Sequence, residues 1–261
     1  MEFGEEIVSL FSRLEDLRAR AEHGEVAVSA FLSPRELHFA RRELDRGGVR
    51  FFTFGGYEGA ERQRVYILPD YMEDVNSERE LLDYGYSTAV CAIKVRGSGF
   101  VTLSHRDFMG SLLGLGVERS VIGDIVVTDT GREAVVFCDE TISLFLLETW
   151  TKAGNDKIRA ERFSLPEVFS PARRFAPIND TVASPRLDAV VAAVCKLSRE
   201  KARVIVENET VEVDYETLSR PDRTIEAPCL VTVRGYGKYR ILSLSEQTKK
   251  GRYRLVAEKY L

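Results

Sequence analysis

Basic side chains that could grip a nucleic acid are concentrated near the end of the chain. Arg186 precedes a predicted helix, and Arg199, Lys201 and Arg203 lie on a second short helix that Ser198 is predicted to cap. Guanidinium and ammonium groups beside the free amides of a helix start suit the phosphate backbone of a nucleic acid. An ordinary solvated basic helix has the same residue types, so this pattern alone leaves both interpretations open.

Segment 234–240 reads Arg-Gly-Tyr-Gly-Lys-Tyr-Arg and interleaves cations with aromatic rings. We predict a loop in which the glycines let two backbones approach closely and Tyr236 stacks on an unpaired base. Arg234, Lys238 and Arg240 would then contact phosphates of neighbouring RNA. The alternative interpretation is a plain glycine-rich hairpin.

The distribution of charge favours a basic tail on an acidic body. The 261-residue chain has a formal net charge of −4. From position 184 to the end, 15 Lys and Arg stand against 11 Asp and Glu, so the tail has a charge of +4 and the rest has −8. Such a tail can attract phosphates while the body does not.

Composition disfavours several other classes of protein. No apolar run reaches the roughly 18 residues of a membrane span. The acidic N-terminus lacks the features of a signal peptide, so we expect a cytoplasmic protein without a membrane partner. The four cysteines are scattered, which predicts reduced structural thiols and no metal site. No nucleotide-binding loop or hydrolase nucleophile elbow is found, so we expect no cofactor and no small-molecule substrate.

The spacing of apolar residues and the capping signals predict an α+β fold with several parts. Residues 1–78 form a small N-terminal α/β unit of two helices and two strands, the second helix starting with a capping box at Ser33. Residues 79–164 follow the order βαββαβ, which is typical of a ferredoxin-like domain, the fold of the RNA-recognition (RRM) domain. The aromatic signature of that domain's third strand is missing, so we interpret Phe137 as a core residue.

A stretch rich in Pro, Ser, Ala and Arg predicts an interdomain linker at 165–184, because closely spaced prolines cannot continue a helix. The last domain, 185–261, is predicted to have two short helices joined by a tight turn at 196–198. Strands follow near 211–213 and 230–233. This domain holds the basic residues described above.

Three motifs of the tail resemble the alpha-L RNA-binding domain first seen in ribosomal protein S-four. They are Arg186-Leu187-Asp188, Leu197-Ser198-Arg199-x-Lys201-Ala202 and Val233-Arg234-Gly235. The resemblance implies that Arg186 and Asp188 belong to the binding surface, although Asp188 is expected to act as a structural partner of a neighbouring group. The chain departs from the family pattern at Asn208-Glu209, where Gly is usual, and at Asp214, whose extra acid would weaken phosphate affinity.

The body extends the resemblance to the bacterial YlmH family. It has Phe31-Leu32-Ser33-Pro34-Arg35-Glu36, Gly55-Gly56-Tyr57, the segment 105–116 that begins His-Arg-Asp-Phe-Met-Gly, and Ile122-Gly123-Asp124-Ile125. Membership would imply binding of rRNA and tRNA on the large ribosomal subunit, in ribosome-associated quality control of stranded peptidyl-tRNA. It would also imply a non-enzymatic protein, and the family's genes lie near cell-division genes.

His105-Arg106-Asp107 is the motif of the body with the most chemical potential. The same triplet opens a protein-kinase catalytic loop, but no glycine-rich loop or Asp-Phe-Gly accompanies it, and Asp107 fits a capping box. We predict that His105 and Arg106 could make an additional RNA contact.

An RNA-modifying enzyme of the pseudouridine-synthase type is the main alternative function, and converging carboxylates around Asp107 and Asp124 would favour it. A cell-division adaptor is a third hypothesis.

Overall fold

The structure, a computed structural model, describes residues 4–165, 169, 171, 175–247 and 251–260, without the side chains of 246 and 247. The chain divides into two units, Met1–Pro171 and Ala172–Leu261. Both units mix helices with antiparallel sheets, and the predicted α+β fold class is confirmed. None of the helices within the described ranges is long and apolar enough to cross a membrane.

The first unit begins with two helices packed on a small antiparallel sheet. Ser33 starts the second helix as predicted: its Oγ accepts from the Glu36 amide at 3.3 Å, and the Glu36 carboxylate accepts from the Ser33 amide at 2.8 Å. This reciprocal capping box satisfies two amides that a helix start otherwise leaves without partners. The elements are α1 (Glu5–Glu22), β1 (Ala27–Val28), α2 (Pro34–Arg46), β2 (Phe51–Phe54) and β3 (Arg64–Ile67), with strand order β1-β3-β2.

The second sheet of this unit confirms the ferredoxin-like prediction. Its elements are α3 (Glu78–Asp83), β4 (Val90–Gly97), α4 (His105–Gly114), β5 (Ile122–Val127), β6 (Glu133–Asp139), α5 (Ser143–Thr149), β7 (Lys152–Ala153) and β8 (Asp156–Arg162). All pairings are antiparallel in the order β5-β6-β4-β8-β7. The short helix α3 and the two-residue edge strand β7 were not predicted, because both are too short for periodicity to show.

The helices α4 and α5 cover one face of this sheet. Alternate residues of β4, such as Ile93 and Val95, point into a core shared with Phe108 and Trp150, both at most 2% exposed. Strand alternation sends the intervening residues to the opposite face. Cys91 and Cys138 lie opposite each other across β4 and β6 as buried free thiols.

The second unit is a six-stranded antiparallel sheet covered by two helices. Its elements are β9 (Phe175–Val182), α6 (Leu187–Cys195), α7 (Arg199–Glu207), β10 (Val211–Val213), β11 (Glu216–Thr217), β12 (Cys229–Val233), β13 (Gly237–Gln247) and β14 (Tyr253–Tyr260). The strand order is β11-β10-β12-β13-β14-β9. Buried side chains of α6, such as Val190 and Val191, pack with Val231 and Leu255 of the sheet.

The predicted linker is wrong over β9. Phe175–Val182 pairs with all eight residues of β14, and Pro177 lies opposite Glu258 within the ladder. A proline is tolerated there because β9 is an edge strand, whose outer amides need no partner from another strand. Positions 166–168, 170 and 172–174 of the predicted linker, including Pro166, lie outside the described residues.

Two turns of the tail unit use left-handed backbone without glycine. Glu209, rather than Asn208, has the positive φ of 57° at the end of α7. Asp214 and Tyr215 have φ of 47° and 66° in the β10–β11 turn. The Asp214 carboxylate accepts from the Leu230 amide at 2.8 Å, so the acid stabilises this turn locally.

Candidate nucleic-acid interface

Two arginines of the tail unit share one buried carboxylate. Arg186 stands just before α6, Asp188 is the second residue of that helix, and Arg199 begins α7. Arg186 donates to Asp188 through Nε and Nη2, both at 3.3 Å, and Arg199 donates through Nε at 3.1 Å and Nη2 at 3.2 Å. We call these three residues the arginine clamp. Asp188 therefore has the structural role that was expected of it.

The clamp restricts the side-chain conformations of two arginines at the protein surface. The side chain of Asp188 is 5% exposed, whereas those of Arg186 and Arg199 are 41% and 49% exposed. Burial tends to raise the pKa of Asp188, but hydrogen bonds and charge from Arg199 and Arg186 outweigh it and lower the pKa. The Asp188 carboxylate thus fixes two partly exposed guanidinium groups, which reduces the entropy cost of holding a phosphate.

The other predicted residues of α7 are divided between two faces of the helix. The Ser198 hydroxyl accepts from the Lys201 amide at 3.3 Å, so Ser198 caps the helix as predicted. Arg203 lies one turn after Arg199 on the same face and pairs with Glu207 at 2.8 Å. Lys201 is exposed about 200° around the axis from Arg199, because successive residues are roughly 100° apart. The structure therefore brings Arg203 to the clamp's face and leaves Lys201 on another.

The predicted loop at 234–240 is wrong in extent, because β13 already begins at Gly237. Arg234 and Tyr236 are exposed in a turn, and Tyr236 is 39% exposed. Lys238 lies on the strand over the rings of Tyr215 and Tyr260 at 5.6 and 5.1 Å.

Arg240 also lies on β13 rather than in a loop. It pairs with Glu258 at 2.6 Å and stacks over the Phe175 ring at 4.8 Å. Its charge is thus partly neutralised within the sheet. Lys238 and Arg240 are held against the rings of Tyr215, Tyr260 and Phe175 and do not extend from a flexible loop.

His105 and Arg106 begin α4 in the first unit. Partial burial and the nearby charge of Arg119 lower the pKa of His105, against an opposing effect of Asp124. Arg106 lines an open groove of about 480 Å³ together with Lys152. Both side chains are exposed, as an additional RNA contact requires.

The two carboxylates that an enzyme would need are occupied in structural bonds. Asp107 accepts from the Ser104 amide at 2.8 Å and from its hydroxyl at 2.6 Å, and these bonds lower the pKa of Asp107. Asp124 accepts from the Tyr57 hydroxyl at 2.7 Å and from the amides of Glu61 and Arg62 at 2.8 and 3.0 Å. Each carboxylate is thus bonded to local donors in the described part of the chain, unlike the free, converging carboxylates of the enzyme hypothesis.

Asp124→Ala is expected to lower the free energy of unfolding of the first unit by about 2–4 kcal/mol, since three donors would lose their acceptor. Trp150 is the chain's single tryptophan and is buried in this unit, so its fluorescence in a urea titration reports the transition. The exposed Asp45→Ala serves as a control and is expected to change stability by less than about 0.5 kcal/mol. An Asp124→Ala variant as stable as the wild type would contradict the structural role of Asp124 and make it a candidate catalytic residue again.

The sheet face that RRM domains use to stack bases is partly covered here. Phe137, as predicted, is a core residue: it is 0% exposed and contacts the ring of Tyr57 at a centroid distance of 4.9 Å. Farther along this face Glu133 pairs with Lys94 and Arg96, both at 3.0 Å. Phe137, Lys94 and Arg96 are therefore engaged by neighbours on this face, whereas Arg159, opposite Arg96 on β8, is exposed.

The sequence reasoning missed two cations beside the clamp. Lys196, at the left-handed end of α6, and Arg252, directly before β14, line a groove together with Arg199. Arg252 reaches this place because β14 pairs with β9, and its side chain bonds Thr181. The alternating apolar residues Leu255 and Ala257 could have predicted β14 from the sequence, whereas no sequence signal indicated β9.

Comparisons with known proteins point to one family, and both matching family models lie within the first unit. A family model of the YlmH N-terminal domain matches residues 5–72, and one of the YlmH RNA-binding domain matches residues 83–167. The chain is 30% identical over 246 residues to Ribosome-associated protein quality control protein P2 of Bacillus subtilis (strain 168), covering 94% of this chain and 92% of that protein. The solved structure of Cell division protein ylmH from Streptococcus pneumoniae is similar in fold, with a TM-score of 0.51 and 18% identity, covering 63% of this chain and 94% of that one.

Proposed function

The chain belongs to the YlmH family and has its RNA-binding domain, and we propose that the RNA it holds is rRNA and tRNA on the large ribosomal subunit. It would act there without catalysis, in the quality control of stalled peptidyl-tRNA. The similarity to the Bacillus subtilis quality control protein extends over 94% of the chain and supports a role for both units.

The arginine clamp is the observation that carries this proposal. A phosphate backbone is best recognised by guanidinium groups that present pairs of N–H donors in a fixed plane. Asp188 orients two such groups, and Arg203 adds a third on the same face. Contacts of this kind position structured RNA without reading its bases, which suits a factor that binds folded rRNA and tRNA.

The first unit would contact RNA on its helical side. Its matched RNA-binding domain has part of the outer sheet face covered by Phe31 and Tyr57, and the surface around α4 is an accessible alternative. His105, Arg106 and the groove cation Lys152 are exposed there. A non-enzymatic role is supported by the structural use of Asp107 and Asp124.

Sedimentation of tagged protein from cell lysate through sucrose gradients, at low and moderate salt, tests the proposal. We expect migration with the large subunit at low salt, enrichment of tRNA in the recovered RNA, and release as salt rises, because phosphate contacts weaken with ionic strength. Migration only at the top of the gradient with no enriched RNA would reject stable ribosome binding. The enzyme and adaptor hypotheses would then come first.

A further inference from the structure

A groove in the tail unit shares Arg199 with the arginine clamp, and its other lining residues belong to no predicted site. Its volume is about 500 Å³, within the range of ordinary small-ligand sites. One wall is the end of β9 around Thr181, and the floor is a face of α6 that includes Ala189, Ala192 and Ala193. Because β9 builds one wall, the groove depends on a strand that the sequence did not reveal.

The rim of the groove is cationic. Lys196, Arg199 and Arg252 line it, against the single carboxylate of Asp180. Arg252 is held in place by Nε donating to the Thr181 hydroxyl at 2.9 Å and by a second bond to the Thr181 carbonyl. Arg199 is held by the clamp. Two of the three cations are thus positioned by partners that the fold supplies.

Lys196 has a left-handed backbone conformation, which glycine adopts at a lower conformational energy. Its φ of 54° and ψ of 50° place it in the left-handed region at the end of α6. Within the described residues no ion pair joins its exposed side chain to a carboxylate. Lys196 therefore adds an exposed cation to the rim at the point where α6 ends.

The floor differs in character from the rim. Methyl groups of the alanines and the side chain of Leu197 give it an apolar surface without bulky side chains. Such a floor suits the flat face of a base, while cations around it suit the phosphates on either side of that base. A duplex cannot place a base there, because its bases are stacked and paired inside the helix.

We propose that this groove binds one unpaired nucleotide of the RNA that the arginine clamp holds, with the base on the alanine floor and the flanking phosphates at Lys196 and Arg252. The inference rests on the proposed RNA-binding function and deepens it. It specifies the target as structured RNA in which a bulged or looped-out nucleotide lies next to the phosphates that the arginine clamp holds.

Two RNA hairpins that share one stem and loop sequence, one fully paired and one with a single bulged nucleotide added, test this with the full-length chain by fluorescence anisotropy. We expect the wild type to prefer the bulged hairpin about tenfold, since stacking of one base contributes on this order. Ala193→Leu should abolish the preference and leave affinity for the paired hairpin unchanged. Lys196→Gln with Arg252→Gln should weaken binding of the bulged hairpin about tenfold and lower its salt slope by about 1.5.

The control removes two exposed arginines of the first unit, Arg18→Gln with Arg46→Gln, and should bind both hairpins as the wild type does. No preference for the bulge in the wild type, or a full preference in folded Ala193→Leu, overturns the inference. If Ala193→Leu does not fold, an unchanged salt slope in the Lys196 and Arg252 variant overturns it instead. If a clamp variant loses binding while the groove variants bind as the wild type does, the proposed RNA-binding function stands and the groove inference fails. A wild type that binds neither hairpin overturns both the proposed function and the groove inference.

Discussion

Replacing both Arg186 and Arg199 by Ala is expected to lower the free energy of unfolding of the tail unit by about 3–5 kcal/mol, because it leaves a buried carboxylate unpaired. Asp188 is 3% exposed and loses all four guanidinium bonds in this variant. From the sequence, two exposed arginines would be expected to be removable with folding intact. The shared buried partner changes that expectation.

Hydrogen exchange of the α6 and α7 amides in the full chain measures this effect in the tail unit alone. The matched control is the neutral triple variant Arg186→Gln, Asp188→Asn, Arg199→Gln, in which amide side chains replace the charges and no buried ion remains. We expect its protection to stay within about 1–2 kcal/mol of the wild type. Equal protection in the double alanine variant and the wild type would contradict a stabilising role for the clamp.

The clamp's contribution should also depend on pH. The pKa of Asp188 is lower in the folded protein than in the unfolded chain, so its stabilisation is complete above the unfolded pKa of about 3.9. That contribution is lost as pH falls through the lower folded value. We therefore expect the stability difference between the wild type and Asp188→Asn to be constant from pH 7 to 5 and to shrink below about pH 4. A difference unchanged at pH 3 would contradict it.

The neutral triple variant is expected to bind RNA about 10 to 100 times more weakly than the wild type near 0.1 M salt, since two phosphate contacts disappear. The slope of log affinity against log salt should fall by about 1.5 for the same reason. Anisotropy titrations of labelled tRNA at several salt concentrations measure both quantities. The variant is suitable because it is expected to retain the fold, and the hydrogen-exchange measurement above checks this, so that lost affinity reports lost contacts.

Lys201→Gln is the matched comparison within the same helix, since Lys201 lies on a different face of α7 from Arg199. Its removal should change the affinity by less than about threefold and the salt slope by less than about 0.5. If Lys201→Gln were as damaging as the triple variant, the RNA would approach a different face of α7. An unchanged affinity in the triple variant would remove the clamp from the binding site.

Local sequence signals were sufficient for most elements of the fold. The capping boxes at Ser33 and Ser104 and the cap at Ser198 start helices where predicted, because capping depends on residues within one turn. The βαββαβ order of the middle domain followed from alternating and helical periodicity. These patterns are encoded over short windows, and tertiary contacts did not override them.

The sequence by itself also determined the basic character of the tail, the helix caps and the motifs that resemble the alpha-L domain. The tertiary structure decided which of those residues act together. Asp188 joins Arg186 to Arg199 across two helices, and Arg240 is withdrawn onto a strand beside Glu258. Strand β9, and the groove between its end and α6, form because residues more than 70 positions apart pair in one sheet. Such pairings depend on contacts distant in sequence, and no local propensity encodes them.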